Sequence, residues 1–139
     1  MTERQGGCQC GKVGFTMRDE PQMVAVCHCR DCQKQTGSAF AVVVIAAETT
    51  VTLRGTAAMF ATTGDSGRQV ERHFCPHCGS PVYMRVPAVP DAVMLMAGAF
   101  DEVSWVRPAM HFFCDSAQPW LTLPEDVKKF SRLPGGPRR

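Results

Sequence analysis

The chain has no charge run, no low-complexity linker, no internal repeat and no apolar stretch of membrane length. Its longest apolar run, Ala39 to Ala47, falls far short of the roughly 20 residues that span a bilayer as a helix. No membrane partner is therefore expected. The opening Met1-Thr2-Glu3-Arg4-Gln5 lacks the basic-then-apolar order of a secretory signal, so a soluble, cytoplasmic protein is expected. Basic residues interleaved with aromatics, the footprint of nucleic-acid binding, are also missing, and nucleic acid is not an expected partner. No long amphipathic helical period is present. The 139 residues suit one domain, large enough to bury a core but one that gains from crosslinks. We expect that domain over residues 1–133, followed by a flexible basic tail over 134–139.

Against that sparse background stand eight cysteines. In a reducing compartment clustered cysteines read as metal ligands before disulfides. Cys-x-Cys and Cys-x-x-Cys neighbours would also close rings too small to restrain an unfolded chain by disulfide. Three groups stand out: Cys8-Gln9-Cys10, Cys27-His28-Cys29-Arg30-Asp31-Cys32 and Cys75-Pro76-His77-Cys78. A structural zinc takes four ligands, usually from two knuckles, whereas a catalytic zinc keeps three protein ligands and an open position. Cys8, Cys10, Cys75 and Cys78 supply four; Cys27, Cys29 and Cys32 supply three from one loop. Two zinc ions per chain follow from that partition. It is not unique, because His28, His77 or Cys114 could close a shell. His28 sits between two ligating neighbours and should point away, and a buried free cysteine such as Cys114 commonly serves as a small hydrophobe. Seven ionised thiols with two dications would add −3 to the formal +2, so the apparent basicity is no guide to partners.

The rest of the chain reads as mainly β. Val13, Phe15 and Met17 alternate with small or polar residues, and Met23 to Val26 forms a short strand that leads into Cys27. Arg30 to Thr36 suits a single helical turn. Ala39 to Ile45, apolar on both faces and β-branched, suits a central strand. Val51–Leu53, Met59–Thr62, Val70–Phe74, Val82–Val86, Ala92–Ala97 and Met110–Cys114 follow as strands, and Pro124 to Phe130 as a short helix. Alternation puts Arg72 on an apolar face. A buried charge is paired, so Arg72 is expected to meet a carboxylate or, failing that, the thiolates.

In this order Gly7-Cys8-x-Cys10-Gly11, Cys27-His28-Cys29-x-x-Cys32-Gln33-Lys34-x-Thr36-Gly37-Ser38, Arg72-x-Phe74-Cys75-x-x-Cys78-Gly79-Ser80 and Pro108-x-x-His111 resemble the glutathione-dependent formaldehyde-activating enzyme and centromere protein V family. The resemblance runs from about Gly6 to Trp120. It implies a β-tent (Mss4-like) fold of short antiparallel sheets crosslinked by zinc. It also implies a structural zinc on Cys8, Cys10, Cys75 and Cys78 and a labile, catalytic zinc on Cys27, Cys29 and Cys32. The implied activity is that of a carbon–sulfur lyase joining glutathione, as co-substrate, to a small aldehyde. Arg30, Lys34 and Arg85 are cations available to the carboxylates of glutathione, Arg30 and Lys34 being the expected contacts, and Asp31 or His28 could move the proton. The alternative is a non-enzymatic, zinc-stabilised module that binds a glutathione conjugate, a protein or a nucleic acid.

Overall fold

The computed structural model describes residues 2–64 and 66–134. Strand β1 (Glu3–Gly7) turns through the Cys8–Cys10 loop into β2 (Gly14–Arg18), and β3 (Met23–Cys27) runs to the helix α1 (Arg30–Thr36). Next come β4 (Ala41–Ala47), β5 (Val51–Arg54), β6 (Ala58–Thr63), β7 (Gln69–Phe74), β8 (Pro81–Arg85) and β9 (Ala92–Met96). The chain ends in β10 (Met110–Phe112) and the two-residue β11 (Lys128–Lys129). Strands β1, β2 and β5 form a small sheet, and the other eight form a second in the order β11-β10-β3-β4-β9-β8-β7-β6. None of the described helices is long and apolar enough to cross a membrane.

The alternating residues explain how the sheets stack. On the large sheet Val44, Val93 and Leu95 turn one way and join Phe15 and Met17 of β2 in a first core cluster. Val43, Met84 and Met96 turn the other way, into a second cluster that contains Cys29 and Cys32. Phe15 and Met17 are wholly buried, which stabilises the contact by about 1.5–3 kcal/mol each. Gly6 of the small sheet bridges to Phe100, in the segment that follows β9. A Cβ at Gly6 would lie 2.4 Å from the Ala99 carbonyl oxygen, so only glycine permits that approach.

Several expectations need correction. The strand expected over Ala39–Ile45 is shifted to Ala41–Ala47, although it is central, between β3 and β9. Helix α1 has the expected bounds but runs seven residues, about two turns rather than one. The expected helix over Pro124–Phe130 is absent; Lys128 and Lys129 instead pair with Met110 and His111. The open edge of β10 offers these backbone groups partners that an isolated short helix would have to supply alone. Strand β10 stops at Phe112 because Phe113 adopts a left-handed conformation, φ 56°. The sheets are not purely antiparallel, since β10 runs parallel to both β3 and β11. The expected basic tail, beyond Pro134, lies outside the described residues.

Candidate metal and active site

Two groups of sulfur atoms come together, and they match the partition by spacing. Cys8, Cys10, Cys75 and Cys78 form one, Cys27, Cys29 and Cys32 the other, and within each group the sulfurs lie within 4.8 Å of one another. Neither His28, His77 nor Cys114 joins either group. Cys10 Sγ lies 3.6 Å from both Cys8 Sγ and Cys75 Sγ. That is far longer than a disulfide, and close to the roughly 3.8 Å edge of a tetrahedron with metal–sulfur bonds of about 2.3 Å.

The four-sulfur group joins the two sheets, because Cys8 and Cys10 follow β1 whereas Cys75 and Cys78 follow β7. Each knuckle folds its backbone around sulfur. Val13 N donates to Cys8 Sγ at 3.3 Å, and His77 N and Cys78 N donate to Cys75 Sγ at 3.4 and 3.5 Å. Gly79 leaves the second knuckle at φ 78°, as its position after Cys78 demands. The Ser80 hydroxyl and backbone N–H hold the Cys78 thiol down to about 5. Donors around Cys78 favour its thiolate, the form that binds metal, whereas Cys10, lowered by the Lys12 backbone, is raised on balance to about 11 by burial and its three sulfur neighbours.

The three-sulfur group lies where β3 runs into α1. Cys27 closes the strand, paired with Ala41 on one side and Phe112 on the other. Cys29 caps the helix, its Sγ accepting from Cys32 N at 3.2 Å. The charge is shared unequally. Cys29 is held at about 2 because the Cys27 and Cys32 thiols donate to it, with the Cys32 N–H and the Arg72 charge helping against burial. Cys27 is pushed far up, since it donates to both neighbours and is buried. Cys32 is lowered by Cys27, yet hydrogen bonding to Cys29 and burial outweigh that and leave it at about 11. A bound cation would draw the remaining thiols into ionisation.

Arg72 is 5% exposed and does not meet a carboxylate; among the described residues no ion pair includes it. Its guanidinium instead lies 3.9 and 4.0 Å from Cys32 Sγ and 3.2 Å from Met84 Sδ. The less expected of its two partners is therefore the one observed. Arg85, also considered for substrate, is bound in a fork by Glu48 at 2.5 and 2.9 Å.

The three sulfurs open on a cavity of about 310 Å³, walled by Val43, Ile45, Val70, Met84, Met94 and Phe112. Asp31, Arg68 and Arg72 are the charged residues on its described wall. His28 does not line it. Its ring is wholly buried, with Nε2 on His111 Nδ1 at 2.9 Å, so it orients the loop and moves no proton in the cavity. Arg30 and Lys34 line a different concavity, with Gln118 and Trp120. Helix α1 divides the two, turning Asp31 and Cys32 to the sulfur side and Arg30, Gln33 and Lys34 to the other. Sequence reasoning missed Gln33, whose Nε2 donates to the His28 and Ser116 carbonyls at 2.8 and 3.0 Å. The only signal was a polar side chain one residue past the last cysteine of the motif.

The model of the family described as glutathione-dependent formaldehyde-activating enzyme matches residues 3–116. A Halomonas elongata protein, provisionally named a glutathione-dependent formaldehyde-activating enzyme, is 27% identical over 126 residues. That match covers 86% of this chain and 80% of the relative. A solved Rhodobacter sphaeroides protein, a structural-genomics target, superposes with a TM-score of 0.54 at 18% identity. It covers 75% of this chain and 91% of its own, and it speaks for the fold.

Proposed function

The chain belongs to the glutathione-dependent formaldehyde-activating enzyme family, and from that premise we propose that it is a zinc-dependent carbon–sulfur lyase. In this reading it adds glutathione reversibly to a small aldehyde at Cys27, Cys29 and Cys32, formaldehyde giving S-hydroxymethylglutathione. One observation carries the reading. Four sulfurs close on one another between two sheets, while three open on a cavity. The first set suits a structural zinc and the second a catalytic one.

A zinc ion at the three sulfurs would supply a positive centre that keeps an incoming thiol ionised at neutral pH. The chain's own residues do the rest. Three thiolates and a dication sum to −1, and the Arg72 charge beside Cys32 brings the site to neutrality. An anionic thiol then meets no net repulsion. Asp31 takes the proton from the thiol, the carbon–sulfur bond forms, and Asp31 returns the proton to the aldehyde oxygen. The apolar walls exclude water, which strengthens the charge interactions inside. Arg68 at the rim receives a carboxylate of glutathione, while Arg30 and Lys34 face the other concavity across α1.

Exchange NMR of glutathione with formaldehyde tests this. Zinc-loaded protein should speed the exchange, and Cys29→Ala should abolish the acceleration. An unchanged rate at high protein concentration counts against the reading.

A further inference from the structure

The cavity beside the three sulfurs is larger and less polar than formaldehyde requires. Its volume of about 310 Å³ equals about ten water-sized volumes of roughly 30 Å³ each. A one-carbon aldehyde would occupy about one of them and leave the remainder as water against hydrocarbon. Glutathione does not account for the wall either, because two carboxylates, an ammonium and two peptide groups call for donors and acceptors. The described wall gives it Arg68, Asp31, Gln22 and Ser66 besides Arg72, and Arg72 is turned to sulfur. What the wall does present is a continuous apolar surface drawn from β4, β7, β8, β9 and β10. Ile45, Val70, Met94 and Phe112 on that surface remain only half-buried, so an apolar occupant would remove further surface from water.

We propose that the aldehyde handled at this site carries an apolar chain or ring of about six carbons. The tail lies against Ile45, Val70, Met84, Met94 and Phe112 while the carbonyl carbon reaches the sulfurs. The inference rests on the thiol–aldehyde reading above and names its substrate class. The chemistry balances without a redox partner. The thiol S–H bond breaks, a carbon–sulfur bond forms, the carbonyl becomes a hydroxyl, and the proton passes from sulfur to oxygen.

Two measurements on the zinc-loaded wild-type protein separate this inference from its parent. In the first, calorimetry compares S-hexylglutathione with S-methylglutathione. Each buried methylene strengthens binding by roughly fourfold, so the hexyl conjugate should bind at least tenfold more tightly. In the second, exchange NMR compares hexanal with formaldehyde, glutathione being the thiol in both. Acceleration of hexanal exchange beyond that of formaldehyde, with tighter hexyl binding, is the expected result. Acceleration of formaldehyde alone, with equal binding of the two conjugates, overturns the inference and leaves the parent reading standing. Acceleration of neither aldehyde removes both.

Val70→Trp, which fills the cavity, should lower the hexanal-to-formaldehyde rate ratio at least tenfold. Should that variant fail to fold, Met94→Ala enlarges the cavity and should shift the preference from hexanal toward octanal. A ratio unchanged in the folded variants also overturns the inference.

Discussion

His28 Nε2 and His111 Nδ1 share a hydrogen bond of 2.9 Å inside the protein, and it is what pins the three-cysteine loop to β10 by side chains. The rings are nearly parallel, 23° apart with centroids at 5.2 Å. The backbone repeats the attachment, His28 N donating to the Phe112 carbonyl at 3.0 Å. The loop is therefore held by β10 from one side and by the Gln33 amide from the other.

Losing that bond leaves His28 Nε2 buried and unpaired, a cost of about 1–3 kcal/mol. His111→Ala should lower urea stability by that amount and loosen the loop, whereas His111→Asn, which retains a polar partner, should recover part of it. Equal stability of the two variants would contradict the role assigned to the pair.

The same pair sets a pH dependence. Burial holds both rings below their ordinary range, with His111 adding repulsion at His28 and Lys129 at His111. The folded state thus binds fewer protons than the unfolded chain. Its stability is complete above the unfolded value, near pH 6.5, and declines as pH falls through it. Denaturation at pH 7.5 and pH 5.5 should show a smaller loss for His111→Asn than for the wild type.

Arg72→Met keeps the side-chain bulk and removes the charge beside Cys32. Affinity for metal at the three-cysteine group should fall about 10–100-fold, the usual effect of losing a residue that supports a ligand. Chelator competition resolves the two groups, and the four-cysteine group should keep its affinity. Parallel losses at both would refute a specific role for the guanidinium.

Zinc content should be about two ions per chain, from the four-plus-three grouping of sulfurs. It should fall to about one in Cys29→Ala with the fold retained. Cys75→Ala, which removes a wholly buried sulfur between the sheets, should cost the fold itself. Circular dichroism with metal analysis distinguishes the outcomes, and unfolding of Cys29→Ala would make the open group structural.

Gly55 sits at φ 79°, and a Cβ there would lie 1.9 Å from the Lys12 carbonyl oxygen in the loop that carries Cys8 and Cys10. Left-handed strain and a clash with backbone together predict a loss of about 3 kcal/mol for Gly55→Ala. Gly98→Ala, with no atom within 4 Å of the added carbon, is the control and should be near neutral.

What the sequence made legible was what local pattern controls. The spacing of seven cysteines sorted them into the two groups that assemble, period-two alternation located β2, and a β-branched run apolar on both faces located the central strand of the large sheet. Features decided by distant partners were not legible. Strand β1 is polar and glycine-ended, so it showed no period and is a strand only because β2 offers an edge. Lys128 and Lys129 left a helix-compatible segment for β10 in the same way. Arg72 obeyed the rule that a buried charge finds a partner, but not the commoner choice of carboxylate, because β7 carries it past Cys32. The cavity was invisible, since five separate strands contribute to its wall.

Strand β7 carries Arg72 to the three-cysteine site and three residues later delivers Cys75 to the other, with a register shift at His73 and Phe74 between them. The two sulfur groups are thus consecutive stations on one piece of backbone. Pairing with β6 and β8 sets where the guanidinium stands, and the four-cysteine knuckle clamps the end of that strand. Maturation should accordingly have a direction. In a cell short of zinc, chains would accumulate with the closed group filled and the open one waiting, and the reverse form would be scarce.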